Sequence, residues 1–422
     1  MSEKNILSLA KEAKKAAGIL AASNANSRAR ALFAIAQTLR EHQTQIIQEN
    51  AKDLSAGKKL VEEGKWAAAM LNRLQLTQEN IHNMAQAVEE IIAQPEVVGE
   101  VLENYQRPNG LWVKRVRVPL GVVLMIFESR PNVVVDAAAL AIKSGNAIIL
   151  KGGKEAFHSN KILGELISQA IGPFIPANSV QLVESTDRHA VEELLTLNHY
   201  INLVVPRGGE GLIRMVYQKS TIPVVAHYKG LCHTYVHLDA NMPHSVEICL
   251  NAKVQRPSVC NAMECLLVHQ EIARPFLAAL LPRFLEAEVE IRGCPKTLSL
   301  FPQYSLKKAS AEDWDTEYLD KILSLKLVDS VEEAIAHIRA HGTQHTEAIC
   351  AQDSYTIDEF IRQIDASCVC VNASTRFNDG GELGLGAELG ISTSKAHAYG
   401  PMGARELTIP RFIVFGEGQI RN

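Results

Sequence analysis

Gly121-Val-Val-Leu-Met-Ile-Phe127, then Asn132-Val-Val-Val-Asp-Ala-Ala-Ala-Leu-Ala-Ile-Lys143, Ser144-Gly-Asn146 and Ala147-Ile-Ile-Leu150 read as strand, helix, turn and strand. The first and last pieces are short apolar runs without alternation, as in strands covered on both faces. The piece between them has the length of a crossover helix. The alternation continues through a Gly-Gly loop at 152–153, a helical stretch at about 158–171, and the strands Val180-Gln-Leu-Val183 and Ile201-Asn-Leu-Val-Val205. Buried strands separated by helices predict a parallel α/β sheet.

Before this core, residues 4–93 read as helices almost throughout, with apolar positions every three or four residues, as in Ala31, Leu32, Ile35 and Leu39. A polar, extended piece at 101–118 carries Asn109-Gly110, a strong hairpin signal, and alternates strictly after it. Because a lone two-stranded hairpin is barely stable in water, this one is expected to pair with something further, such as another subunit. After the core, a second strand–helix run occupies 231–370, with strands near 233–237, 264–269, 324–327, 346–350 and 367–371. A Gly-rich segment at 379–390 interrupts it, and Glu406-Leu-Thr-Ile-Pro-Arg-Phe-Ile-Val-Phe415 reads as a strand that covers an edge.

At 422 residues the chain is long enough for two or three domains. A formal net charge of -4 argues against a strongly basic nucleic-acid binder but leaves room for a local basic pocket. The longest apolar runs, 120–127 and 133–142, fall short of the roughly 18 residues of a membrane span. The eight cysteines form no Cys-x-x-Cys grid, and the N-terminus has no secretory apolar core. The expectation is free thiols in a reducing cytoplasm, with neither membrane nor nucleic acid as partner.

The chemistry points to Val254-Gln-Arg-Pro-Ser-Val-Cys-Asn-Ala-Met-Glu264. A helical pattern at 244–253 runs into this stretch, Pro257 breaks it, and a strand-like run at 265–269 leaves it. A thiol on such a bend, Cys260, faces a cleft, and its small polar neighbours suit a reactive nucleophile. Cys265 reads as a core residue. His337, His341 and His345 recur every four residues. Gly342 interrupts that helix and no carboxylate or cysteine completes a ligand set, so they read as a solvated face and no metal is expected.

Taken together, Phe127-Glu-Ser-Arg-Pro-Asn-Val-Val-Val-Asp136, Ser144-Gly-Asn-Ala-Ile-Ile-Leu-Lys-Gly-Gly-Lys-Glu155, Val205-Pro-Arg-Gly-Gly209 and the stretch around Cys260 resemble the aldehyde dehydrogenase superfamily. They are most similar to its acyl-phosphate-reducing branch, the glutamate-5-semialdehyde dehydrogenases or γ-glutamyl phosphate reductases. The resemblance implies an aldehyde-dehydrogenase-like α/β fold of two Rossmann-like domains. It places a cofactor domain at 1–102 and 121–228 with a piece near 381–395, a catalytic domain at 229–380, and an oligomerisation flap built from 103–120 and 396–422. It also implies Cys260 as the nucleophile, with its own N–H and Asn132 as oxyanion donors, Asn132 being alternatively the cap of the helix that follows.

For the cofactor, the resemblance implies Lys151 on the adenosine ribose and Glu317 on the nicotinamide ribose. Lys154 and Arg207 favour NADPH over NADH through a 2′-phosphate, Lys154 being alternatively a solvated side chain. Gly208 and Gly209 open a helix towards the pyrophosphate. Arg130, Arg256, Ser374, Thr375 and Arg376 are the expected substrate contacts. His227 stands where water-using relatives carry a glutamate base, and it is either a partner of Cys260, a phosphate contact or an ordinary hydrogen-bonded histidine. The implied reaction is NADPH-dependent reduction of L-glutamyl 5-phosphate to L-glutamate 5-semialdehyde in proline biosynthesis. A homo-oligomer, dimer or tetramer, is expected, and association with glutamate 5-kinase is left open.

Overall fold

The structure is a computed structural model that describes residues 5–66 and 68–421. Residues 1–4, the last of which opens the stretch read as helical, and residues 67 and 422 lie outside the described residues. The chain divides into two compact units. One runs to Ala226 and includes Gly384–Gly390 and the stretch from Met402; the other is His227–Leu383 with Ile391–Pro401.

The first unit opens with the helices Ile6–Ala21, Ala25–Glu41, Gln43–Glu62, Ala68–Leu74 and Gln78–Ala93. Local chemistry sets their starts: Asn5 and Asn24 accept from backbone N–H groups of the first turn, and Thr77 and Asn80 cap each other reciprocally. Behind them stands a four-stranded, wholly parallel sheet in the order Val180–Leu182, Ala147–Gly152, Val122–Phe127, Leu203–Arg207. The chain builds outwards from Val122–Phe127 to one side and then returns to its other side. The carboxyl ends of Val122–Phe127 and Leu203–Arg207 therefore form the switch point where such sheets leave a crevice.

The expected hairpin pairs Val101–Gln106 with Trp112–Pro119, and Gly110 takes the left-handed conformation its turn requires (φ +90°). The tail strand Thr408–Phe415 adds to it antiparallel, which makes a three-stranded sheet. Both segments belong to the first unit. Asn146 ties the two sheets together: its side-chain oxygen accepts from Gly121 N–H at 2.8 Å and its amide donates to Leu407 O at 2.8 Å.

The second unit is built on a seven-stranded parallel sheet. Its order is Lys307–Lys308, Glu290–Gly293, Ile322–Val328, Met263–His269, Cys232–Val236, Thr346–Cys350, Cys368–Val371. The first two strands have no sequence signature, being short and rich in Glu, Arg, Gly and Lys. The helix Met242–Val254 precedes Met263–His269, and the bend between them carries Cys260.

A buried ion pair joins the two arms of that bend. Lys253 Nζ lies 2.6 Å from Glu264 Oε2, with side chains 0% and 1% exposed. Breaking a buried pair from one side leaves an uncompensated charge. Lys253→Met should therefore destabilise the protein by about 3–5 kcal/mol in urea titrations, and Lys253→Met/Glu264→Gln should recover part of that loss. A single-mutant loss no larger than the roughly 1 kcal/mol of a surface pair would overturn the assignment.

Candidate active site

The bend between Gln255 and Ala262 is closed by Ala262 N–H donating to Val259 O at 3.0 Å. Of the eight free cysteines only Cys260 and Cys368 retain partial exposure. The opposite wall is Gly230, where a Cβ would stand 2.1 Å from Cys260 O, so only glycine lets the backbones approach this closely. The Cys232 thiol donates to the same carbonyl at 3.1 Å. Cys260 thus sits at the amino ends of Cys232–Val236, Met263–His269 and Thr346–Cys350.

Two imidazoles converge on the sulfur, the ligating atoms of His227, Cys260 and His345 all lying within 4.8 Å of one another. His227 Nδ1–H donates to Ile391 O at 2.8 Å, which turns Nε2 over to the cluster. His345 is fully buried, and its Nδ1 shares a hydrogen bond with Thr346 Oγ1 at 2.7 Å. Burial by itself raises the Cys260 thiol. The charge and hydrogen bonds of His345 and His227 more than reverse that and hold it well below the ordinary cysteine range. Glu317 closes the group: its Oε1 accepts from Gly230 N–H at 2.9 Å, and its pKa is raised, by burial first and then by the charge of Cys260.

Basic side chains stand near the same sulfur. Burial lowers the Arg376 pKa; Asp379 and Cys260 oppose the shift and the charge of Arg256 adds to it, so two guanidiniums share one neighbourhood with the thiol. Arg376 Nε donates to Gln255 Oε1 at 2.8 Å and its Nη1 to Asn261 Oδ1. Ser374 and Thr375 are buried. The Thr375 hydroxyl donates to Asn261 O at 2.7 Å and Ser374 Oγ accepts from Arg376 N–H, so these two hydroxyls brace Arg376 and the residue after Cys260.

In the first unit, Lys151, Glu128 and Arg207 gather at the carboxyl edge of the sheet, where Phe127 is in register with both Gly152 and Arg207. Lys151 is buried, its Nζ donates to Gly152 O at 2.9 Å, and burial lowers its pKa against the pull of Glu155. Lys154 is exposed. Arg207 Nη2 lies 3.7 Å from Glu388. Gly208 and Gly209 lead into the helix Glu210–Lys219, and Gly209 N–H donates to Glu128 Oε2 at 2.9 Å. A Cβ on Gly208 would stand 2.5 Å from that carboxylate oxygen, so backbone and anion meet closely at a helix start. Asn132 does not cap its helix, whose cap residue is Pro131; its amide donates instead to Asp136 Oδ2 at 2.9 Å. Arg130 lies in the loop before that helix and belongs to the first unit, apart from Arg256 and Arg376 in the second.

The three histidines at four-residue spacing are not a solvated face. The helix ends at His341; His337 is 5% exposed, and His345 is 0% exposed in the loop beyond. Spacing along one segment missed His337 and His345 because their cysteine neighbours come from elsewhere, Cys265 from a strand and Cys260 from the bend. A signal did exist for His345, which directly precedes the apolar strand that begins at Thr346.

The aldehyde dehydrogenase family profile matches residues 1–297. Gamma-glutamyl phosphate reductase of Desulfatibacillum aliphaticivorans is 50% identical over 418 residues, covering 99% of each chain. That of Moorella thermoacetica is 49% identical over 410 residues, 97% of each. The crystal structure of gamma-glutamyl phosphate reductase from Thermotoga maritima superposes with a TM-score of 0.94 at 42% identity, covering 99% of this chain and 100% of its own.

If the imidazoles set the state of Cys260, its alkylation by iodoacetamide should stay nearly level as pH falls from about 8.5 to neutrality, because a depressed pKa keeps the thiolate at lower pH. His345→Gln should return the thiol towards its ordinary range, with about a tenfold loss of neutral-pH rate per unit regained. Mass spectrometry of the peptide that contains Cys260 reads this site alone. A wild-type rate that falls in step with an ordinary thiol would refute the assignment.

Proposed function

We propose, from the premise that the chain belongs to the aldehyde dehydrogenase family and within it to the gamma-glutamyl phosphate reductases, that it reduces L-glutamyl 5-phosphate to L-glutamate 5-semialdehyde and phosphate. This is a step of proline biosynthesis. The observation that carries the reading is a thiol held between two imidazoles beside two guanidiniums, a nucleophile and an anion receptor in one place. The Cys260 thiolate attacks the acyl carbon; a C–S bond forms, the C–O bond to phosphate breaks, and phosphate leaves beside Arg256 and Arg376. A nicotinamide held by Lys151, Arg207 and the Gly208-Gly209 turn would supply the hydride that reduces the thioester. Cys260 is then expelled as thiolate and the aldehyde departs. The product amine condenses with its own aldehyde, loses water and gives 1-pyrroline-5-carboxylate.

The residues at the first sheet's edge fit a dinucleotide. Lys151 offers a desolvated ammonium for the adenosine ribose. The N-terminus at Gly209 already accommodates a carboxylate where a pyrophosphate would be received. Exposed Lys154 and half-buried Arg207 supply charge for a 2′-phosphate and favour NADPH. Glu317 is assigned to the nicotinamide ribose, and Asn132, with one amide N–H committed to Asp136, to the oxyanion. Cys260 N–H is the second oxyanion donor. His227 stands in for a hydrolytic base and pairs instead with the sulfur, which suits an acyl transfer whose exchange partner is phosphate and not water.

The reading includes a homo-oligomer, supported by the three-stranded sheet, where Phe412 and Val414 on one face and Trp112 and Phe415 on the other are 45–59% exposed. Apolar side chains exposed in this way favour burial against a second copy. Phe412→Glu/Val414→Glu should lower the mass in light scattering while circular dichroism is kept; an unchanged mass would count against this interface.

The reaction is most readily tested in reverse. NADP reduction with pyrroline-5-carboxylate should require inorganic phosphate and should fall at least about a thousandfold in Cys260→Ala. Phosphate-independent NADP reduction would mark a hydrolytic aldehyde dehydrogenase, and no turnover at all would mark a non-catalytic relative.

A further inference from the structure

A second histidine–cysteine cluster lies inside the second unit. Ser324, Cys265, His233 and Glu347 are in register across four adjacent parallel strands and so present their side chains to one face of the sheet. The helix Val331–His341 packs on that face through Val331, Ala334, Ile335 and Ile338 and adds His337. Cys265 is 1% exposed, His233 0%, Glu347 1% and His337 5%.

The donor atoms are arranged as a ligand set. Those of His233, Cys265 and His337 all lie within 4.8 Å of one another. Cys265 Sγ and His337 Nε2 are 3.7 Å apart. Two ligands at Zn–S and Zn–N distances of about 2.3 and 2.0–2.1 Å, at trigonal to tetrahedral angles, stand about 3.6–3.8 Å apart. His233 Nδ1–H donates to Glu347 Oε2 at 2.9 Å. That bond fixes the tautomer that offers Nε2, as carboxylates do behind metal-bound histidines. His233 Nε2 makes no hydrogen bond of good geometry among the described residues, its one polar neighbour being the Cys265 thiol, and a polar atom so poorly satisfied this deep in an apolar core suits an ion shared with that sulfur.

We propose that His233 Nε2, Cys265 Sγ and His337 Nε2 bind one divalent transition-metal ion of the zinc type, with Glu347 as the carboxylate behind His233. The sulfur loses its proton on binding, and thiolate and carboxylate together balance the two positive charges in a dry site. Lys326 Nζ, 3.4 Å from His337 Nδ1, is the group that must yield, because Nδ1 carries the proton once Nε2 is a ligand. It has an alternative partner in Glu333, 3.3 Å away. The site is independent of the Cys260 chemistry and departs from the expectation that no metal is bound.

The test uses full-length Cys260→Ala protein, which removes the sulfur of the active-site cluster. After chelator treatment it should take up one Co2+ per chain and develop a near-ultraviolet thiolate-to-cobalt charge-transfer band that Zn2+ then displaces. Adding Cys265→Ala should abolish the band. His337→Gln, which removes one ligand from the helix, should weaken Co2+ affinity by more than the roughly 10–100-fold of a lost outer-shell partner and serves should the double variant not fold. Zn2+ should also raise the melting temperature of Cys260→Ala and leave that of the His337→Gln form unchanged. A band missing from Cys260→Ala, or one that survives both Cys265→Ala and His337→Gln, would overturn the site.

Discussion

A thiol surrounded by protein stays protonated unless something makes its anion cheaper than burial makes it costly. At Cys260 that something is the pair His227 and His345, and the remaining geometry of the site follows from bringing them there. The two imidazoles come from separate parts of the second unit: His227 is held by Ile391 O, and His345 lies between Thr346 and the sulfur cluster. A carboxylate at position 227 would have pushed the thiol in the opposite direction. An imidazole at this position therefore favours the thiolate that a carboxylate would oppose.

The bend that presents the sulfur has little secondary structure of its own and depends on what clamps it. Lys253 and Glu264 join its arms, Gly230 permits the close backbone approach, and Asn261 is gripped by Arg376 and Thr375 from a distant segment. Burial pushes Glu264 up to about 7 even against Lys253, so the clamp is strongest while both partners are charged. The hydroxyls of Ser374 and Thr375 hold this loop to the bend: Ser374 Oγ accepts from Arg376 N–H and Thr375 donates to Asn261 O. Their hydroxyls are polar enough to suggest a binding loop in the sequence, and the fold spends them on backbone.

Sequence reading reached the parts of the fold where one segment carries its own signal. The apolar runs at 122–127 and 147–150 and the helix between them appear where they were expected, as does the hairpin at Asn109-Gly110. The short edge strands Glu290–Gly293 and Lys307–Lys308 carry no such signal and were invisible. Cys260 was legible because its motif is contiguous. His345 and His337 were not, because spacing along a helix says nothing of which strands lie opposite. Of the two roles open to Asn132, oxyanion donor or helix cap, the cap falls to Pro131, and the Asn132 amide donates to Asp136.

The second unit contains the same donor set twice, two histidines and a cysteine, and access separates what each can do. At Cys260 the residue keeps a partly exposed surface on an irregular bend, so a substrate carbon can reach the sulfur and leave again. Cys265 sits within a strand, covered by a helix, and no carbon electrophile of any size can approach it. Only a species small enough to pass during local opening, a proton or a bare ion, can exchange there. A side-chain carboxylate also stands behind the second cluster: Glu347 fixes the His233 ring, while His227 is oriented by the carbonyl of Ile391. Orientation by a buried carboxylate suits a ligand sphere, and imidazoles beside a partly exposed sulfur suit a nucleophile that must be charged in one step and acylated in the next.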